Sequence, residues 1–461
     1  MKIDLKNLKN KKVTVMGLGL HGGGVSIVKW LSKQGASITI TDMRSRSELY
    51  PSLKQLKSLK VKLVLGKHKQ EDFKGVDLII KNPGVPKESK FLSIAKKYKI
   101  PIETDISIFM QLTKALVIGV TGTKGKSTTS SLIYELLKAA KLNPILAGNI
   151  RKPPLDELNK VNKNTPVILE LSSWQLEDII QLKKSPNIAV VTNILPDHLN
   201  RYKSFPEYIK AKTLITKYQC HNDIAILNYQ DKNVKQKFSK VKSKKYWFSA
   251  NRHKKAGCFI KNDRIYFTEH KKNQFVCYTK DIMLPGSHNV SNALAAITIA
   301  KIFRLPNISI KIVLRHFKGI PNRLQFVGSW HGTKFYNDTT ATTPEAAMAG
   351  IKCFNKKIIL IGGGTDKKLN YNNLAKLIKK QVKFLVLFKG TASDKISEQL
   401  IKNKFRNWQW VKNMNEAVKI AKKNSTKQDI VLLSPGAASF GLFQNEFDRG
   451  DQFISNIKRL K

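Results

Sequence analysis

Residues 115–128 read Ala-Leu-Val-Ile-Gly-Val-Thr-Gly-Thr-Lys-Gly-Lys-Ser-Thr, a β-branched apolar run that closes in glycines, a lysine and two hydroxyl side chains. A helix-forming stretch follows and continues to Ala140. Strand, glycine-rich loop and helix in that order make a phosphate-binding loop. Glycines let backbone N–H groups close on phosphate oxygens at a helix N-terminus, Lys126 brings a point charge, and Ser127 brings a hydroxyl that suits Mg²⁺. The match to the common pattern is imperfect, because its first glycine falls on Val120 and Gly119 stands one place early. The reading implies ATP, with Gly122, Thr123, Lys124, Gly125, Lys126, Ser127 and Thr128 around its phosphates.

Outward from this loop the chain keeps the same grammar. Upstream, Lys12–Met16 reads as a strand, then Gly17-Leu-Gly19-Leu-His-Gly22, a helix over Val25–Lys33, and a second strand over Ala36–Thr41 with Asp42 at its end. Glycines at 17, 19 and 22 and an acid about 20 residues on are a nucleotide-binding βαβ fingerprint in its proper context. Further strands at 61–65 and 77–81 lead to Asn82-Pro83-Gly84. Downstream, residues 166–171 and 187–192 are near-continuous apolar runs, as parallel strands buried on both faces are. They end in Glu170-Leu-Ser-Ser and in Thr192-Asn-Ile-Leu-Pro-Asp197-His198. Residues 222–282 show only short strand-like runs such as Ile224–Leu227 and Ile265–Thr268. Past Gly319, strand-like Lys357–Ile361, Lys383–Phe388 and Asp429–Leu433 alternate with helical stretches, and the loops after them carry Gly362-Gly-Gly-Thr-Asp-Lys367 and Ser434-Pro-Gly-Ala-Ala-Ser439.

The expected architecture is therefore α/β in three lobes: a Rossmann-like N-terminal domain over residues 1–110, a central P-loop ATPase domain with a mostly parallel sheet over 111–319, and a Rossmann-like C-terminal domain over 320–461. A length of 461 residues suits roughly three domains. Hydrophobic content of 41% suffices for packed cores, and no run of about 20 apolar residues marks a membrane span. The N-terminus lacks the apolar core of a signal peptide, and four scattered cysteines form no CxxC pair, so a reduced cytoplasmic setting is expected. The formal charge of +51 raises nucleic-acid binding. Against it, only twelve of 83 basic residues are arginine, and the 71 lysines are spread along the chain rather than gathered into a stripe. Nucleic acid is not expected to be the main partner.

Six motifs occur in one order: Thr121 to Ser127, Glu170-Leu-Ser-Ser, Asn193 to His198, His288-Asn289-Val-Ser-Asn-Ala, Pro321-Asn-Arg323 and Asn337-Asp338-Thr. Together they resemble the Mur ligase family along essentially the whole chain. Ser434 to Ser439, with Arg449-Gly450, is similar to the branch of that family that adds D-glutamate to UDP-N-acetylmuramoyl-L-alanine. The resemblance implies a cytoplasmic, monomeric ligase that uses ATP and two Mg²⁺ ions and works through an acyl phosphate. It places Lys126, His198 and a carbamylated Lys212 in catalysis, and Ser127, Glu170, His198 and Lys212 around metal. It places Asn289, Arg323 and Asp338 on ATP. For the UDP-sugar peptide it implies Gly17, Gly19, Gly22, Asp42, Arg44, Asn82, Pro83, Gly84 and Asn149, and for D-glutamate it implies Thr342, Lys367 and Ser439. The chain departs from the family pattern at Thr340, where lysine is usual, and at Glu446, where an aromatic is usual.

Two alternatives stand beside this reading. A related ligase could take a diamino acid or a folate, but a distal cation in the acceptor would want acidic partners, and Lys367 opposes that. A basic nucleotide-dependent protein acting on nucleic acid would need stacking aromatics interleaved with cations, whereas the aromatics here fall mostly in apolar runs.

Overall fold

The computed structural model describes residues 3–20, 22–150, 152–198 and 201–460. They form two compact units: residues up to Thr279 together with Ser291–Val313, and Lys280–Val290 together with the chain from Leu314 onward.

The first unit contains two parallel sheets. The N-terminal sheet comprises β1 (Lys12–Met16), β2 (Ser37–Asp42), β3 (Val61–Leu65), β4 (Leu78–Lys81) and β5 (Ile102–Glu103), in the order β3-β2-β1-β4-β5. After β3 the chain crosses to the far side of β1, so the glycine loop that follows β1 lies where strand order reverses, the usual place for a ligand. The second sheet comprises β6 (Leu116–Thr121), β7 (Ile145–Gly148), β8 (Pro166–Glu170), β9 (Ile188–Val191), β10 (Ile224–Asn228) and β11 (Lys244–Phe248), in the order β11-β10-β9-β6-β8-β7. β6 runs parallel to both β8 and β9, so the loops after these three strands converge. Every residue of β8 and β9 is buried, which is why both read as unbroken apolar runs.

Three antiparallel strands follow, β12 (Gly257–Lys261), β13 (Arg264–Glu269) and β14 (Lys272–Tyr278). The sequence showed only fragments of this sheet, and the turns explain why. Asn262-Asp263 and His270-Lys271 join the strands with φ of 48°, 56°, 49° and 64°. These are left-handed two-residue turns made without the Asn-Gly signature that normally announces them.

The second unit has a six-stranded sheet, β15 (Gln325–Trp330), β16 (Thr333–Asn337), β17 (Ile358–Gly362), β18 (Val382–Phe388), β19 (Trp408–Val411) and β20 (Ile430–Leu433), ordered β15-β16-β20-β17-β18-β19. β15 pairs antiparallel to β16, and the other neighbours are parallel. The reversal of order falls between β17 and β20, so the loops at 362–367 and 434–439 lie side by side. Thr365 and Ala438 exchange backbone hydrogen bonds of 2.9 and 3.1 Å there. Among the described residues no helix is long and apolar enough to cross a membrane. The four cysteines are free, and Cys258, Cys277 and Cys353 are buried.

Candidate active site

The loop between β6 and the helix Lys126–Ala139 is built on two glycines that no other residue replaces easily. Gly125 caps the helix with φ 84°. Gly122 has φ 151°, and a Cβ there would lie 1.9 Å from Thr192 Oγ1. The segment after β9 grips this loop from the neighbouring strand. Asn193 Oδ1 accepts from the Lys124 amide and its Nδ2 donates to the Lys124 carbonyl, both at 2.9 Å, while Thr192 Oγ1 donates to the same carbonyl at 2.7 Å. Tyr208 OH stands 3.1 Å from Thr123 Oγ1, and Lys124 pairs with Asp197 at 3.1 Å. Lys126 curls back so that Nζ donates to the carbonyls of Gly122 and Thr123, at 2.8 and 2.9 Å. Ser127 and Thr128 open the helix half-buried. The result is a cation over a rigid concave backbone at the positive end of a fourteen-residue helix, an arrangement that suits an anion.

Lys212 lies behind the loop. It stands in the last turn of the helix Phe205–Thr213, capped by Ser204, and is 1% exposed. Nζ donates to Thr121 Oγ1 at 3.1 Å and to the Gly122 carbonyl at 3.0 Å, and it sits over the Tyr208 ring. Burial, then the neighbouring Lys126 charge, push its pKa well below the usual lysine range, while Glu170 and Asp197 oppose the shift. The amine is thus held toward its neutral, nucleophilic form. Glu170 ends β8 fully buried, and its Oε1 accepts from Asn149 Nδ2 at 3.1 Å. Ser172 and Gln175, two residues and five residues beyond it, form a reciprocal cap on the helix Ser173–Ile179, which fixes the strand end.

His198 has a left-handed backbone, φ 55°, and its ring lies edge-on to Trp174 and Tyr208. Burial lowers its pKa, and the charges of Lys212, Lys126 and Lys124 add to the effect against Asp197. A neutral imidazole, a carboxylate and a hydroxyl are a donor set that Mg²⁺ accepts. Among the described residues no group of three or more His, Cys, Asp or Glu forms a closed metal cage. Mg²⁺ rarely uses such a cage, since it keeps water and substrate phosphates as ligands.

A cleft of about 720 Å³ runs beside this centre, with Leu18, Gly19, Asn82, Gly84, Asn149, Trp174, His198 and Arg201 among the residues that line it. The Arg201 guanidinium stacks on Trp174 at 4.8 Å. Gly17, Gly19 and Gly22 all have positive φ, 88°, 63° and 85°. Asn82 and Gly84 line the cleft with Pro83 between them, and Asn149 is exposed to it. Asp42 lines a pocket at this loop and has a further local role besides the contact its motif suggests. Its Oδ2 accepts from the Leu18 and Gly19 amides and its Oδ1 from the Arg44 amide, so it holds the glycine loop in shape. Arg44 is exposed beside it.

In the second unit, Lys367 Nζ donates to Thr342 Oγ1 at 3.0 Å, which brings together two of the three residues expected to meet an amino-acid carboxylate. Ser439, the third, is buried in the loop after β20. Asp338 is buried and accepts from Ser434 Oγ at 2.8 Å and from the Leu324 amide at 3.2 Å, and burial pushes its pKa up to about 6. Arg323 is exposed, while Asn289 is buried and donates to the Pro285 carbonyl at 2.7 Å. Thr340 donates to the Asn322 carbonyl, and the Glu446 carbonyl accepts from Thr339. Arg449, fully buried, donates to Thr339 and to the Ala437 carbonyl, joining the loops after β16 and β20.

Sequence reasoning did not single out Asn193, Thr192 and Tyr208 as supports of the phosphate loop, nor His68, Phe91, Trp174 and Arg201 as pocket walls. The first group stood inside or near runs already noted, and only their hydrogen bonds reveal the role. The second group carries no spacing signal.

Three family models match the chain: one described as Mur ligase MurD-like, N-terminal domain, over residues 11–104; Mur ligase middle domain over 120–300; and Mur ligase, glutamate ligase domain, over 322–436. The chain is 38% identical to a protein of Roseiflexus sp. (strain RS-1) over 457 residues, 97% of this chain and 98% of the other. It is 37% identical to one of Clostridioides difficile over 458 residues, 99% of this chain and all of the other. Both are called UDP-N-acetylmuramoylalanine–D-glutamate ligase. Among solved structures it resembles the UDP-N-acetylmuramate-alanine ligase of Thermotoga maritima, with a TM-score of 0.61 at 20% identity, covering 98% of this chain and 100% of that one.

Proposed function

The chain belongs to the Mur ligase family, and from that premise we propose that it joins D-glutamate to UDP-N-acetylmuramoyl-L-alanine with hydrolysis of ATP to ADP and phosphate, a cytoplasmic step in making the peptidoglycan precursor. The observation that carries the reading is near full-length identity of 33–39% to eight proteins that all bear this one activity in their names.

The geometry supports the chemistry. The terminal carboxylate of the UDP-sugar peptide attacks the γ-phosphorus of ATP, ADP leaves, and a carboxyl phosphate forms. The amine of D-glutamate then adds to the acyl carbon, loses a proton, and phosphate departs with the bridging oxygen. Lys126 and the amides of Gly122 to Ser127 neutralise charge at the transferring phosphoryl group, where a preorganised donor is worth several kcal/mol. Bound Mg²⁺, two ions in this reading, would add Lewis-acid charge at the same phosphates, held through Ser127, Glu170, His198 and Lys212. A free ammonium beside a metal would repel it. The buried amine of Lys212, whose pKa is lowered by burial and by the Lys126 charge, suits reaction with CO₂ to an anionic carbamate, an oxygen donor.

Asn289, Arg323 and Asp338 are assigned to ATP, and Thr342, Lys367 and Ser439 to the carboxylates of D-glutamate. The Lys367 cation favours an acidic acceptor over a diamino acid. The protein is proposed to act as a monomer. An isotope experiment tests the scheme: with ¹⁸O in the substrate carboxylate, one ¹⁸O atom is expected in each phosphate released. Release of unlabelled phosphate alongside normal product would refute the acyl phosphate.

A further inference from the structure

Arg449 is a buried cation whose acceptors are all neutral. It stands in the first turn of the helix Glu446–Lys458 and is fully buried. Its Nε donates to Thr339 Oγ1 at 3.0 Å, Nη2 to the Thr339 carbonyl at 2.9 Å and Nη1 to the Ala437 carbonyl at 3.4 Å. Among the described residues it forms no ion pair; Glu446, earlier on the same helix, attracts it from beyond that distance. Asp448 is engaged by the Gln444 amide and the Gln452 side chain, and Asp338 by Ser434 and the Leu324 amide. Burial lowers the guanidinium pKa to about 10, so the charge persists at neutral pH. Burying a charge without a partner is costly, and a helix N-terminus carries the same sign.

The loops that Arg449 joins are the ones that carry two of the residues assigned to the amino-acid acceptor. Thr339 and Thr342 share the loop after β16, and Ala437 and Ser439 share the loop after β20. The Gly436 amide donates to the Ala341 carbonyl at 2.8 Å, which ties the two loops together a second time. Lys367, the third assigned residue, donates to Thr342 Oγ1. The carboxylate beside it, Asp366, is taken by Lys395 and by the Tyr371 hydroxyl. Two cations without acids of their own, one buried and one exposed, therefore serve one pair of loops.

We infer that Arg449 selects the charge of the acceptor: its buried cation is balanced by the carboxylates of an acidic amino acid seated at these loops, through its field rather than through contact. A charge held in a low-dielectric interior acts over a longer distance than one in water. The inference rests on the reading that this unit receives D-glutamate, and it adds a specificity-determining residue outside the set expected to touch it.

The experiment measures KM for D-glutamate by phosphate release from the full chain, in wild type, Arg449→Met and Arg449→Lys. KM for ATP and for UDP-N-acetylmuramoyl-L-alanine is measured beside it, and scanning calorimetry checks that each variant folds. Arg449→Met is expected to raise KM for D-glutamate roughly tenfold or more, with the other two KM values moving by less than about threefold. Arg449→Lys keeps the cation but loses the fork, and a buried amine, unlike a guanidinium, gives up its proton readily. Relative to wild type at the same pH, its KM for D-glutamate is expected within about threefold at pH ~6 and to climb toward that of Arg449→Met by pH ~9. A role in packing alone would make the two substitutions differ by shape and leave that ratio flat with pH. A flat ratio in folded Arg449→Lys, or a wild-type KM in folded Arg449→Met, overturns the inference and leaves the D-glutamate reading intact. If Arg449→Met does not fold, the pH series on Arg449→Lys decides alone. Absence of D-glutamate-dependent phosphate release in wild type overturns that reading, and the inference with it.

Discussion

Replacing Lys212 with methionine should separate catalysis from stability. Methionine nearly conserves the volume of the side chain while removing the nitrogen that sits over the Tyr208 ring. The substitution deletes two hydrogen bonds but leaves no orphan. Thr121 Oγ1 still donates to the Leu171 carbonyl at 2.7 Å, and the Gly122 carbonyl still accepts from Lys126 at 2.8 Å. Two bonds at a net ~0.5–1.5 kcal/mol each are lost. Against this, an amine that is 1% exposed and strained toward neutrality no longer has to be desolvated. The net change should stay within about 2 kcal/mol, a few degrees in Tm. Turnover should fall by roughly a thousandfold or more, because the proposed carbamate and the negative charge it would place beside the metal are gone, a loss of several kcal/mol in the barrier. Phosphate release and scanning calorimetry on the same preparations measure the two effects. Acetate should partly restore Lys212→Ala, in which there is space for it. Turnover within about threefold of wild type in the methionine variant would show that Lys212 is only a packed lysine. A collapse of Tm would show that its hydrogen bonds matter chiefly to the fold.

Other perturbations have equally definite expectations. Gly122→Ala drives a Cβ into Thr192 Oγ1 at 1.9 Å and makes a residue with a side chain adopt φ 151°. The loop must shift, at ~1–3 kcal/mol, so KM for ATP should rise at least tenfold; an unchanged KM would refute the tight fit. Lys81, 4% exposed, pairs with Asp178 at 3.0 Å. Lys81→Met strands that carboxylate and should cost about 3–5 kcal/mol of stability, measured by urea unfolding. Asp105 is buried, and burial raises its carboxyl from 3.8 to about 6. The folded state therefore holds this proton more tightly, so the contribution is present at low pH and is lost as pH rises from ~4 through ~6. Asp105→Asn keeps an oxygen for the Ile106 amide and should flatten that fall, leaving the variant about 3 kcal/mol more stable at pH 7. An identical pH profile in denaturant titrations would contradict the assignment.

The parallel sheets were legible because their strands are buried on both faces and end in glycine or polar loops. β1, β6, β8 and β9 fall within a residue or so of where the apolar runs place them. The antiparallel pieces were not legible. β12 to β14 turn through Asn262-Asp263 and His270-Lys271, and β15 turns into β16 through His331 and Gly332, at φ 46° and 81°. None of these pairs is the usual hairpin dipeptide. Within the site, residues of the glycine loops announced themselves, since their chemistry needs a fixed spacing along the chain. The groups that hold those loops did not. Asn193, Thr192 and Tyr208 act across strand or helix boundaries, and the sheet order that joins β9 to β6 had to be seen first. Asp42 shows both kinds of role: it lines a pocket at the glycine loop, and its two oxygens also shape that loop, which the motif alone did not reveal.

The most direct measurement is phosphate release from ATP with purified full-length protein and UDP-N-acetylmuramoyl-L-alanine, the amino acid being varied and the product identified by mass. The account predicts that D-glutamate alone supports rapid release and appears in the product, with L-lysine, meso-diaminopimelate and L-glutamate near the background rate. Faster release with L-lysine or meso-diaminopimelate than with D-glutamate would contradict it.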